Sequence, residues 1–107
     1  MKVTESLLRY TYEVLKATAF FDISVPRCKF EVSKLRVAWG YYYDDPPKIQ
    51  IAASVDCPQK LLMVVAHEMC HAALDKAGCI QHNYHDDQFK TLAEIVCKRM
   101  GWPLKEF

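Results

Sequence analysis

Two histidines and a glutamate at helical spacing are the residues of this sequence best suited to chemistry. They lie in the segment His67-Glu68-Met69-Cys70-His71. On a helix, residues four apart lie one above the other, so the two imidazoles can bind one metal ion. Glu68 lies about 100° further around the helix, where its carboxylate can reach a water on that ion. This H-E-x-x-H pattern is typical of zinc-dependent hydrolases, in which zinc activates a water and the glutamate takes its proton.

The motif supplies only two of the three protein ligands that a catalytic zinc ion needs beside its water. His82 and His85 follow it, and all four histidines of the chain fall within residues 67–85. Glu94 is a third candidate, because some zinc hydrolases take a glutamate from a later helix. Spacing alone does not choose among these three. An aspartate such as Asp75 is better suited to supporting a histidine ligand through a hydrogen bond.

Length and composition indicate one small domain, which we expect to cover residues 1–107. The net charge is only +1, so charge alone favours neither a nucleic acid nor a membrane surface as partner. No apolar run is long enough to span a bilayer, and the first residues lack the hydrophobic region of a signal peptide. Five scattered cysteines without a C-x-x-C pair indicate a reducing compartment. We therefore expect a cytoplasmic protein without membrane contact.

Three helices are predicted to position the motif. Apolar side chains at helical spacing predict a first helix from Thr4 to Phe21, the motif helix from about Pro58 to Ala77, and a last helix from about Asp86 to Met100. Gly78 is expected to end the motif helix in a left-handed conformation.

A small sheet is predicted between the first two helices. Alternating apolar residues predict strands between Arg27 and Trp39, with a turn near Ser33, and a further strand over residues 48–53. The prolines and aspartates of residues 41–47 predict a turn. We expect an α+β fold with a mostly antiparallel, three-stranded sheet packed on the helices. Ile51 is a candidate substrate contact, because proteases often hold extended peptides against a strand edge.

The two histidine segments resemble the SprT-like metalloprotease domain, the family of Spartan-type proteases that act on DNA–protein crosslinks. Residues 67–74 are similar to the motif helix of that family, and His85-Asp86-Asp87-Gln88-Phe89 is similar to the H-G-x-x-F pattern that carries its third histidine. Asp86 stands where the family pattern has glycine. The order of helices and strands is similar over nearly the whole chain.

The resemblance implies a minimal zincin-like domain that binds Zn²⁺. Its zinc ligands would be His67, His71 and His85, and Glu68 would be the general base. His82 and Tyr84 are then candidates to line the cleft and bind substrate, or to polarise the scissile carbonyl.

The predicted function is hydrolysis of peptide bonds by a zinc-activated water, with a protein or peptide as substrate. One alternative is a zinc amidase or peptidoglycan peptidase, including one encoded by a virus. Another is a non-catalytic zinc-containing module that binds protein or DNA. Nucleic acid is a second candidate partner, although the near-neutral net charge does not support it. One basic segment could contact phosphates through Arg27, Lys29, Lys34 and Arg36. The sequence leaves the oligomeric state open.

Overall fold

The computed structural model describes residues 1–79 and 86–107 of the chain. In chain order, the helices and strands of this part are α1 (Glu5–Ala17), β1 (Lys29–Ser33), β2 (Gly40–Asp44), β3 (Pro47–Ala52), α2 (Pro58–Lys76), α3 (Asp87–Met100) and a short 3-10 helix (Leu104–Glu106). The three predicted helices and a three-stranded sheet are thus present in an α+β arrangement. None of the helices described is long and apolar enough to cross a membrane.

Local hydrogen bonds set the ends of the helices. The Thr4 hydroxyl accepts a hydrogen bond from the Leu7 N–H at 3.1 Å, which caps α1. The Asp86 carboxylate accepts one from the Phe89 N–H at 2.9 Å and caps α3 in the same way. Gly78 has a φ of 83° and follows α2 in the left-handed conformation that glycine allows. Only α1 differs much from its prediction, since it ends at residue 17 and turns follow to residue 22.

The sheet is mixed, so the prediction of a mostly antiparallel sheet is wrong. Its strand order is β1-β3-β2. β3 pairs antiparallel with β2, with Gly40 opposite Ile51, and parallel with β1, with Phe30 opposite Ile49. Residues 45–46 join β2 to β3 in a tight hairpin, and the parallel pairing of β3 with β1 on its other side makes β3 the central strand. A sequence pattern does not report this order, because it depends on which strand edges meet in space.

The second strand also lies later in the chain than predicted. Residues 35–39 are not a strand, and Val37 there is 91% exposed, so its apolar side chain does not mark a buried face. The tyrosines of residues 41–43 form most of β2 instead of a turn. Tyrosine favours pleated, half-buried positions, and this preference outweighs the turn signal until residue 45.

Helix α2 occupies the centre of the fold and contacts β2, β3, α1 and α3. Cys57 caps its start and Pro58 is its first residue, as suits a helix N-terminus. A helix that is apolar on most sides is buried on most sides. The buried apolar side chains of α2 are Leu61, Met63, Val64, Val65, Ala66, Met69, Cys70, Ala72 and Ala73. Glu68 is the one charged side chain that is buried in the described part of the chain.

Candidate metal centre and cleft

An open cleft of about 740 Å³ lies between β2 and the exposed side of α2. Residues 38–44 form one wall, and His67, Glu68 and His71 lie on the other. Glu106 and Phe107, which follow α3 in the chain, also line it. The structure therefore brings the three candidate residues of the motif to one cavity that is large enough for part of a peptide.

The two motif histidines are arranged as a pair of metal ligands would be. Their ring centroids are 5.3 Å apart, and the rings make an angle of 64°. Two imidazoles bound to one tetrahedral zinc ion through nitrogens at about 2.1 Å have ring centroids about 5 Å apart. Phe89 of α3 packs against both rings, 4.9 Å from His67 and 4.5 Å from His71 between centroids. The two rings therefore have the separation that a shared zinc ion requires, and α3 packs against both.

Phe107 contacts His67, although the two residues are forty positions apart in the sequence. Its main-chain oxygen lies 2.7 Å from Nδ1 of His67, and the two ring centroids are 5.4 Å apart. A main-chain oxygen only accepts hydrogen bonds, so Nδ1 carries the hydrogen. In the neutral ring the lone pair is then on Nε2. No spacing pattern in the sequence indicates this contact.

Glu68 is 6% exposed and faces the cleft from α2. Burial disfavours the charged form of its side chain and raises the pKa of Glu68 to about 8. A carboxyl group with this pKa can both accept and donate a proton near neutral pH. Without a metal ion, the carboxyl group of Glu68 is therefore mostly protonated near neutral pH.

Gly40 allows β2 to approach Glu68 closely. A Cβ atom on residue 40 would lie 2.9 Å from the main-chain oxygen of Gln50 and 3.3 Å from Cγ of Glu68. Any side chain here would therefore press on both the sheet and the glutamate. The predicted strand region ended at Trp39, directly before this glycine, whereas β2 begins at Gly40.

The free edge of β2 borders the cleft, since β3 is its only partner among the described strands. The Ala52 N–H donates to the Trp39 oxygen at 2.8 Å. In an antiparallel pair the hydrogen-bonding direction alternates, so residues 39, 41 and 43 face β3. The main-chain groups of Gly40, Tyr42 and Asp44 therefore point to the free edge.

Ile51 does not lie where a substrate contact was predicted. It is on the central strand β3, is 0% exposed and belongs to the core. A substrate in the cleft does not reach its side chain, and the strand edge beside the motif belongs to β2. The prediction treated the strand directly before the motif helix as an edge strand, whereas this strand is the central one.

Asp75 also has a different partner from the predicted one. The Tyr42 hydroxyl donates a hydrogen bond to its carboxylate at 2.8 Å. Burial, together with this carboxylate, holds the pKa of Tyr42 well above its usual value. The bond connects the edge strand to the motif helix one turn after His71. Among the described residues, Asp75 therefore supports the cleft wall and not a histidine ring.

The third ligand falls outside the described residues. His82, Tyr84 and His85 belong to residues 80–85, which the structure does not describe. Glu94 is exposed on α3 and does not line the cleft. Across residues 1–79 and 86–107 there is no cluster of three potential metal ligands. The four basic residues of the first strand region are exposed and do not line the cleft either.

Comparison with known proteins gives a match to one family model. No curated protein and no solved structure matches this chain significantly. The SprT-like family matches residues 8–105, which include β2 and the motif helix α2, the two main walls of the cleft. Because this match covers nearly the whole sequence, the chain belongs to the SprT-like family.

Proposed function

We propose that this protein is a zinc metallopeptidase that hydrolyses peptide bonds. The observation that carries the proposal is the juxtaposition of His67, His71 and the buried Glu68 in one cleft beside a free strand edge. Membership of the SprT-like family supports it. The scattered cysteines support a reducing compartment, and we place the activity in the cytoplasm.

Three histidines would hold the zinc ion. His67 and His71 provide two nitrogens from one helical face, and His85 is the third ligand that the family resemblance implies. When bound, zinc acidifies a water molecule and stabilises negative charge on the carbonyl oxygen of the substrate.

Glu68 is the proposed proton carrier. Its carboxylate accepts a proton from the attacking water and passes it to the nitrogen of the departing amine. Burial raises the pKa of the metal-free side chain to about 8, and a nearby zinc ion would favour the charged form that accepts the proton. No second residue is needed as a general acid, because Glu68 donates to the leaving amine the proton that it took from water.

The edge of β2 is the proposed site for the substrate main chain. An extended peptide can pair with the outward main-chain groups of Gly40 and Tyr42, as in other proteins that add a strand to a sheet edge. Trp39 and Met63, which also line the cleft, supply apolar surface for substrate side chains. The cleft is open, so unfolded or flexible protein segments are the expected substrates.

Metal analysis combined with a proteolysis assay tests the proposal. We expect about one zinc per chain in the wild type and in Glu68→Gln, with cleavage of casein lost only in the variant. Glu94→Gln is the matched control, because it makes the same chemical change at an exposed position outside the cleft. It should retain both zinc and activity.

Two results would contradict this function. Casein cleavage by zinc-loaded Glu68→Gln at the wild-type rate would remove the glutamate from the mechanism. Cleavage of peptidoglycan fragments without cleavage of casein or unfolded proteins would assign the site to cell-wall substrates instead.

A further inference from the structure

We propose that Phe107 is a positioning residue for the metal centre, and that its main-chain oxygen orients His67 as a ligand. The inference rests on the proposed zinc site. Its basis is the 2.7 Å contact between that oxygen and Nδ1 of His67. The acceptor selects the ring form with hydrogen on Nδ1 and leaves the lone pair on Nε2 for the metal.

The main-chain oxygen is held in place by packing of the Phe107 ring. The ring is stacked on Trp102, with centroids 6.1 Å apart and an angle of 24°. It also stacks on Phe89, with centroids 6.4 Å apart and an angle of 27°. Trp102 is itself buried, and Phe89 packs on both motif histidines. Three aromatic side chains thus connect the segment after α3 to the ligand pair.

The backbone after α3 is shaped to deliver Phe107 to this position. Gly101 has a φ of 73°, a left-handed conformation that ends the helix, and the Trp102 N–H then bonds to the Cys97 oxygen at 2.9 Å. The 3-10 turn closes with the Phe107 N–H bonded to the Leu104 oxygen at 3.1 Å. These bonds restrict where the Phe107 oxygen can lie, so the acceptor is preorganised.

Hydrogen bonds from outside the ligand set influence metal affinity. A group that fixes the orientation of a histidine ligand typically contributes 10- to 100-fold to binding of the ion. Phe107 would act in this way, through His67. Loss of its ring should release the oxygen and weaken zinc binding, while the fold around α2 remains.

The test uses three variants of the full chain and two readouts. Phe107→Ala removes the ring, Phe107→Tyr keeps it, and Leu104→Ala shortens an exposed side chain in the same turn. Zinc affinity is measured by competition with a chromophoric chelator. The position of the hydrogen on His67 is measured in metal-free protein by nitrogen NMR of the imidazole rings, which requires no zinc and no activity.

We expect zinc binding to weaken by about 10- to 100-fold in Phe107→Ala and to stay within about threefold of wild type in the other two variants. In metal-free wild type, His67 should carry its hydrogen on Nδ1. Hydrogen on Nε2 in the wild type would overturn the inference, even if Phe107→Ala fails to fold. Wild-type zinc affinity in folded Phe107→Ala would overturn it as well. If the wild type itself binds no zinc, the proposed function fails, and the NMR result still decides whether Phe107 orients the ring.

Discussion

Replacement of Glu68 by glutamine should stabilise the metal-free protein, and the effect should depend on pH. Glu68 has a pKa of about 8 in the folded chain, against 4.5 for an unperturbed glutamate. Between these values the unfolded chain is ionised and the folded chain is still protonated. Folding must then retain a proton that the unfolded state releases, so stability falls as the pH rises through this window and levels off above it.

The magnitude follows from the width of that window. Each pH unit between the two pKa values costs the folded state about 1.4 kcal/mol relative to the unfolded state. The cost is therefore about 3 kcal/mol at pH 7 and about 1 kcal/mol at pH 5. Glutamine has a similar shape and does not titrate, so Glu68→Gln should avoid this cost.

Urea unfolding with a chelator present, at pH 5 and pH 7, measures the effect. The stability advantage of Glu68→Gln over wild type should grow by about 2 kcal/mol from the lower to the higher pH. Glu94→Gln, which changes an exposed glutamate, should show no such growth. Equal advantages of Glu68→Gln at both pH values would refute the assignment of a buried, protonated carboxyl group.

Two further substitutions test the wall formed by β2. Gly40→Ala places a Cβ atom 2.9 Å from the Gln50 oxygen and 3.3 Å from Cγ of Glu68, so we expect a loss of about 1–3 kcal/mol in urea unfolding together with reduced peptide hydrolysis. Wild-type stability and activity in this variant would contradict the close approach of strand and helix. Tyr42→Phe removes the 2.8 Å hydrogen bond to Asp75, and a loss of about 1 kcal/mol is expected. Asp75→Asn and the double variant complete a double-mutant cycle. If the double variant loses as much stability as the two single variants together, the two side chains are not coupled.

The helices could be predicted closely because their signals are local. Asp86 and Thr4 can bond to N–H groups three residues later, and Pro58 and Gly78 have backbone preferences that do not depend on the rest of the fold. The motif spacing likewise predicts that His67 and His71 lie one above the other with Glu68 about 100° around the helix, because only the helical period is needed.

The sheet could not be predicted in the same way, since its strand order depends on contacts between distant segments. Tyr42 lies in a segment with strong turn signals, yet it packs beside α2 and bonds to a residue 33 positions away. Ile51 has the alternation of an edge strand but is enclosed by strands on both sides. The contact of Phe107 with His67 spans forty residues and involves a main-chain atom, which leaves no trace in side-chain patterns.

X-ray absorption at the zinc edge of the purified protein tests whether histidines of this chain hold a catalytic zinc ion. We expect a sulfur-free shell of imidazole nitrogens with one further oxygen, and loss of imidazole scattering or of zinc itself in His71→Ala. Sulfur from a cysteine in the shell, or a protein that purifies without zinc and does not take it up, would contradict the proposed catalytic centre.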